Sequence, residues 1–123
     1  MSNGSNHKYQ LLRNDTIEME GNILYRIQAL RDFNDVRKDD LGGYVQSYSN
    51  LAQCNNCWIY GLAKVYNKAK VLGSAIVTNN AIVKSKAVIY DNAKICDNVI
   101  VIDDAIVGGN AIIGFIMFII LII

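Results

Sequence analysis

Between residues 57 and 113, two side-chain positions recur every six residues without an insertion. The first is occupied by Cys57, Ala63, Ala69, Ala75, Ala81, Ala87, Ala93, Val99, Ala105 and Ala111. The second, two residues later, is occupied by Ile59, Val65, Val71, Val77, Val83, Ile89, Ile95, Val101, Val107 and Ile113. A helix repeats at 3.6 residues and a strand at two. Six is a multiple of two, so in extended backbone both positions face the same side. Every second-position residue is β-branched, which favours strand through its stiff χ1. The rest of each unit supplies Gly61, Asn67, Gly73, Asn79, Asn80, Asp91, Asn92, Asp97, Asn98, Asp103, Asp104, Gly109 and Asn110. These residue types accept turn and left-handed geometry. Each unit therefore reads as a short strand followed by a corner.

A chain that turns the same way every six residues, with Ala and Val always inside, winds into a coil. Three flat sides make 18 residues per turn at the six-residue spacing. Stacked turns then pair as parallel strands about 4.8 Å apart, giving a solenoid around a column of like residues. Each buried Val or Ile contributes roughly 1.5–3 kcal/mol, enough for the column to offset the ordering of the corners. An antiparallel domain of hairpins is the competing architecture, but its variable loops would not preserve the register. The 18-residue turn puts Trp58, Ile76, Lys94 and Ile112 on one outer face, Lys64, Ile82, Ile100 and Phe118 on a second, and Lys70, Val88 and Ile106 on the third. Apolar columns of that size predict an interface.

The pattern resembles the bacterial transferase hexapeptide repeat, [LIV]-[GAED]-x-x-[STAV]-x. Val71-Leu72-Gly73-Ser74-Ala75-Ile76 shows its frame and Val107-Gly108-Gly109-Asn110-Ala111-Ile112 fits it fully, whereas Tyr60, Tyr66, Lys84 and Tyr90 stand where a small or acidic residue is usual. The front segment, TIEMEGNILYRIQALRDFNDVRKDDLGGYV followed by NLAQCNNCWIY, resembles the YdcK-like hexapeptide proteins of bacteria and their phages. The resemblance covers about residues 8–113. It implies an all-β, single-stranded left-handed parallel β-helix, a homo-oligomer with a trimer favoured, and an acyltransferase-like ancestry with acetyl-CoA or another acyl-CoA as its cofactor.

Four segments are expected: a disordered tail over residues 1–7, a small N-terminal β-hairpin cap over 8–44, the repeat β-helix over 45–114, and an apolar tail over 115–123. In the cap, Thr16–Met19 and Ile23–Ile27 read as strands joined around Gly21-Asn22. Val45 and Leu51 already lie on the repeat register. The final FIMFIILII is too short for a membrane-spanning helix of about 20 residues. It reads as a disrupted end of a longer repeat array, as a capping or oligomer-forming strand, or as a tail touching a membrane.

Chemistry is harder to place. Acyl transfer needs a base near neutral pKa, and His is the usual choice. The chain has one His, His7, outside the repeats. Nothing in the repeats matches the catalytic His that the resemblance implies, and the three-His zinc site of the carbonic-anhydrase-like members is excluded. No catalytic residue and no metal ligand is assigned. Cys54 and Cys57 have a CxxC spacing, but Cys57 occupies an inward position and Cys96 a corner, so all three read as thiols of core and corners. Asp103 and Asp104 read as corner residues, with a cation site as the alternative. Lys64, Lys68, Lys70, Lys84 and Lys86 make the middle turns basic. With Tyr60, Tyr66 and Trp58 they form a candidate site for a nucleotide or CoA phosphate, for which Lys64, Lys70, Tyr66 and Trp58 are the cofactor-binding candidates. A solvated basic face is the alternative.

A net charge of +1 does not suggest nucleic-acid binding. The N-terminus lacks the pattern of a secretory signal, so a cytoplasmic location is expected. These features point to a non-catalytic oligomeric binding or structural module. An acyl-CoA-dependent acyltransferase-like protein and a protein that sequesters a small anionic nucleotide are the alternatives.

Overall fold

The computed structural model describes residues 7–114, together with the backbone of 118–120. Residues 1–6 of the expected tail over 1–7, and most of the apolar stretch over 115–123, lie outside the described residues. The chain is all-β. Three longer strands, β1 (Tyr9–Met19), β2 (Asn22–Ala29) and β3 (Leu41–Val45), precede a 3₁₀ turn at Tyr48–Asn50. Short strands then follow at six-residue intervals: β4 (Trp58–Ile59), β5 (Lys64–Val65), β6 (Lys70–Val71), β7 (Ile76–Val77), β8 (Ile82–Val83), β9 (Val88–Ile89), β10 (Lys94–Ile95), β11 (Ile100–Ile102), β12 (Ile106–Val107), β13 (Ile112–Ile113) and β14 (Phe118–Ile120).

Every third short strand pairs in parallel with the strand one turn away. Trp58 pairs with Ile76, Lys94 with Ile76 and Ile112, Ile82 with Lys64 and Ile100, and Lys70 with Val88, Val88 with Ile106. The result is a parallel solenoid of about four turns with three sheets as its sides. The 18-residue turn and the membership of each side are as the register predicts. Cys57 through Ala105 and Ile59 through Val101 are fully buried at both inward positions, and Val107 is 4% exposed.

The corners explain the rest of the period. Residues 55, 61, 67, 73, 79, 85, 91, 97, 103 and 109 all have φ between 56° and 66°. A left-handed conformation costs an ordinary residue roughly 1–2 kcal/mol and is tolerated best by Gly, Asn and Asp. Nine of these ten positions are Gly, Asn or Asp, and the tenth is Ser85. Several corner side chains also bond to the next turn. Asn67 Oδ1 accepts from Ser85 N–H at 3.1 Å, Asn79 Oδ1 from Asp97 N–H at 3.0 Å, and Asp91 Oδ2 from Gly109 N–H at 3.2 Å.

The front segment joins the solenoid edge to edge. β1 and β2 are antiparallel, β3 pairs antiparallel with β2 and parallel with β5, and one sheet runs β1-β2-β3-β5-β8-β11-β14. Strand β3 therefore belongs to cap and solenoid at once, and a boundary at residue 44 falls inside it. The hairpin turn is at Glu20-Gly21, with φ of 51° and 82°, one residue earlier than expected, because Met19 pairs with Asn22. The first strand reaches back to Tyr9, past a register shift between Leu12 and Thr16 where the polar Arg13-Asn14-Asp15 hides the alternation. Gly42 and Gly43 are required by proximity: a Cβ on either would lie 2.6 Å from the Ile59 carbonyl oxygen or 2.3 Å from that of Ala63.

Beyond its register shift the hairpin lies over the solenoid. Leu24, Tyr44 and Tyr66 form a buried cluster with Ile17, Met19 and Ile82 packed against it. The near end of the column is closed by Tyr9, Phe33 and Trp58, whose rings meet edge to face with centroids 6.2 Å (Tyr9–Trp58) and 5.2 Å (Phe33–Trp58) apart.

Candidate functional site

A groove of about 480 Å³ runs down one edge of the solenoid, lined by Asn67, Lys68, Ser85, Lys86, Asp103 and Asp104. It exists because three successive turns place the same corner, two residues wide, one above another. The left-handed residue of each corner (67, 85, 103) turns the chain, and the next residue (68, 86, 104) projects outward from it. Two ammonium groups thus lie along the edge, with two carboxylates at its far end. Among the described residues, none of Lys68, Lys86, Asp103 and Asp104 forms an ion pair within the solenoid. The groove is open and lined by charged, amide and hydroxyl residues, unlike the enclosed apolar pockets that hold most small ligands. It offers charge and hydrogen bonds to a ligand lying along it.

The four residues expected to bind a cofactor are distributed around this edge and do not converge. Lys64 is on the side formed by β5 and Lys70 on the side formed by β6, so they flank the groove. Lys64 is half-buried, which lowers its pKa, and its Nζ donates to the Leu62 carbonyl at 2.8 Å. Lys70 is exposed. Tyr66 is 1% exposed beneath the hairpin, and its hydroxyl donates to Glu20 Oε1 at 2.5 Å; burial, reinforced by that carboxylate, raises its pKa. Trp58 belongs to the third side, and the expectation that it faces outward is corrected by its 1% exposure under Tyr9 and Phe33. The cap, whose packing has no sequence periodicity, covers it.

The hairpin changes the outward apolar columns as well. Ile82 is half-buried against the hairpin cluster of this same chain. Ile106 and Ile112 remain exposed, at 46% and 73%.

Two arrangements had no signal in the sequence. A smaller recess of about 170 Å³ is lined by Asp35, Tyr60, Ile76, Thr78 and Lys94, where the Tyr60 hydroxyl donates to Asp35 Oδ1 at 2.6 Å. At the near end of the column, Lys8 is fully buried. Its Nζ donates to the carbonyls of Cys57 (2.6 Å), Asn55 (3.2 Å) and Cys54 (3.4 Å) and lies 3.4 Å from Cys57 Sγ. Only the long-range return of β1 to loop 54–57 creates this cage. Among the described residues, no three His, Cys, Asp or Glu side chains converge to hold a metal ion, and no helix is long and apolar enough to cross a membrane.

The fold defines the class: an all-β parallel solenoid with a hairpin cap. Compared with known proteins, the chain matches no family model and no curated protein.

Proposed function

We propose that this protein is a non-catalytic, oligomeric binding or structural module of the hexapeptide-repeat, left-handed β-helix kind, in the cytoplasm. The observation that carries this reading is the groove of Lys68, Lys86, Asp103 and Asp104, set on corners that repeat without an inserted loop. A regular solenoid supplies a rigid, extended surface, which suits recognition. Exposed Ile106 and Ile112 support self-assembly as a trimer.

The lysine pair also favours a second reading, in which the phosphates of an acyl-CoA or a small anionic nucleotide lie along the edge, Lys64 and Lys70 adding charge from the flanks. In that reading the protein is acyltransferase-like or sequesters the nucleotide. Titration calorimetry with acetyl-CoA and a panel of nucleotides separates the readings: heat abolished by Lys68→Glu with Lys86→Glu supports the ligand, and no heat removes it. Light scattering tests assembly, and a monodisperse 13.7 kDa species overturns it.

A further inference from the structure

The buried lysine at the column's near end has no role in the groove, and its setting points to redox chemistry. Cys54 is exposed and Cys57 fully buried. Cys57 Sγ lies 3.9 Å from the Cys54 carbonyl oxygen, so the thiol already touches the residue that carries the other sulfur. Closing the bond requires the exposed Cys54 side chain to turn inward toward Cys57. That loop holds Asn55 at a φ of 62° and turns three of its carbonyls toward one ammonium group. A buried thiol is ordinarily inert because its thiolate is desolvated. Here burial does raise the Cys57 pKa, but Lys8 opposes the rise through its charge and its hydrogen bond. The Lys8 ammonium lies 3.4 Å from this sulfur, within reach to stabilise its thiolate.

We propose that Cys54 and Cys57 form a peroxide-driven dithiol–disulfide switch, with Lys8 as the positioning residue that stabilises the buried resolving thiolate. In the first step the exposed Cys54 thiol reacts with hydrogen peroxide, giving a sulfenic acid and one water. In the second, the sulfur of Cys57 attacks the Cys54 sulfur. The S–O bond breaks, the departing hydroxide takes the proton released from the Cys57 thiol and leaves as a second water, and the S–S bond forms. Two thiols and one peroxide become one disulfide and two waters. The bond removes the sulfur from the Lys8 cage and constrains the loop on which the first strand docks.

The test is peroxide titration of the full chain, followed by alkylation, intact mass and peptide mapping. The proposal expects loss of two hydrogens per chain, a Cys54–Cys57 disulfide reversed by dithiothreitol, and a Cys96 thiol that still alkylates. Cys57→Ser is expected to stop at a Cys54 sulfenic acid trapped by dimedone. Lys8→Met, checked for retained strand content by circular dichroism, is expected to slow closure about tenfold or more and move its pH profile upward. A dimedone adduct on Cys54 in the unsubstituted chain with Cys57 still free, or intermolecular Cys54 dimers alone, overturns the switch. An unchanged closure rate and pH profile in folded Lys8→Met overturns the role of the lysine.

Discussion

The carboxylate of Glu20, at the tip of the hairpin, accepts a hydrogen bond from the Tyr66 hydroxyl at 2.5 Å and an ion pair from Lys84 Nζ at 3.0 Å. One exposed residue on the cap thus fastens it to two successive turns of the solenoid. Tyr66 and Lys84 directly follow the inward residues Val65 and Val83, and both serve this contact.

That fastening is pH-dependent, with a definite sign. The hydrogen bond from Tyr66, then Lys84, hold the Glu20 carboxyl below its ordinary value of 4.5. A carboxylate whose folded pKa is depressed contributes stability that is present above the unfolded pKa and lost as pH falls through the folded one. The melting temperature of the native chain is expected to exceed that of Glu20→Gln by a constant margin from neutral pH down to about 4.5, and the margin to shrink below it. A margin unchanged through the acid range contradicts the latch.

Trp58 gives a second check, on the cap. It is the only tryptophan and is buried against Tyr9 and Phe33. Its emission is expected to be blue-shifted and poorly quenched by acrylamide in the folded chain. Trp58→Ala, which empties a large buried site, is expected to cost about 3–5 kcal/mol, read from denaturant unfolding. Ready quenching in the native state contradicts the burial.

The solenoid and the hairpin of the cap were legible and the docking of the cap was not, for one physical reason. Inward positions such as Ala75 and Val77, and corners such as Gly73 and Asn79, are each set by local backbone geometry, so their pattern repeats in the chain. The burial of Trp58, the Glu20–Tyr66 contact and the Lys8 cage depend on segments 25 to 49 residues apart meeting once, and a single meeting leaves no period. Lys68, Lys86, Asp103 and Asp104 fall between these cases. Their types and corner positions are visible in the sequence, while their convergence in one groove follows only when the three turns are stacked.

Ser85 is the weak corner, and it yields a third prediction. It holds a φ of 63° without the side chain that tolerates this best. Its N–H donates a hydrogen bond to Asn67 Oδ1, continuing a chain in which Gln46 Oε1 accepts from Asn67 N–H at 2.8 Å. Ser85→Asn eases the left-handed backbone and offers an amide oxygen to the Asp103 N–H one turn on. A gain of about 0.5–1 kcal/mol is expected from these two effects, measured by chemical denaturation. A loss contradicts the stacked-corner account.

The last prediction contrasts neighbouring residues on opposite sides of the sheet. Val83 is fully buried in the column, and its side chain points inward between those of Val65 and Val101 on the turns below and above. Lys84 follows it and points outward to Glu20. Val83→Asp places a carboxylate among the Ala, Val and Ile side chains of the inward positions, none of which is charged. An unpaired buried charge costs several kcal/mol, comparable to the whole stability of a small domain, about 5–15 kcal/mol, so this variant is expected to lose its strand signal in circular dichroism. Lys84→Asp sets like charges facing across the latch but leaves the column intact; it is expected to keep the strand signal and expose Tyr66, read as faster amide exchange in the hairpin. Equal tolerance of both substitutions is incompatible with Val83 lining the inside of the coil.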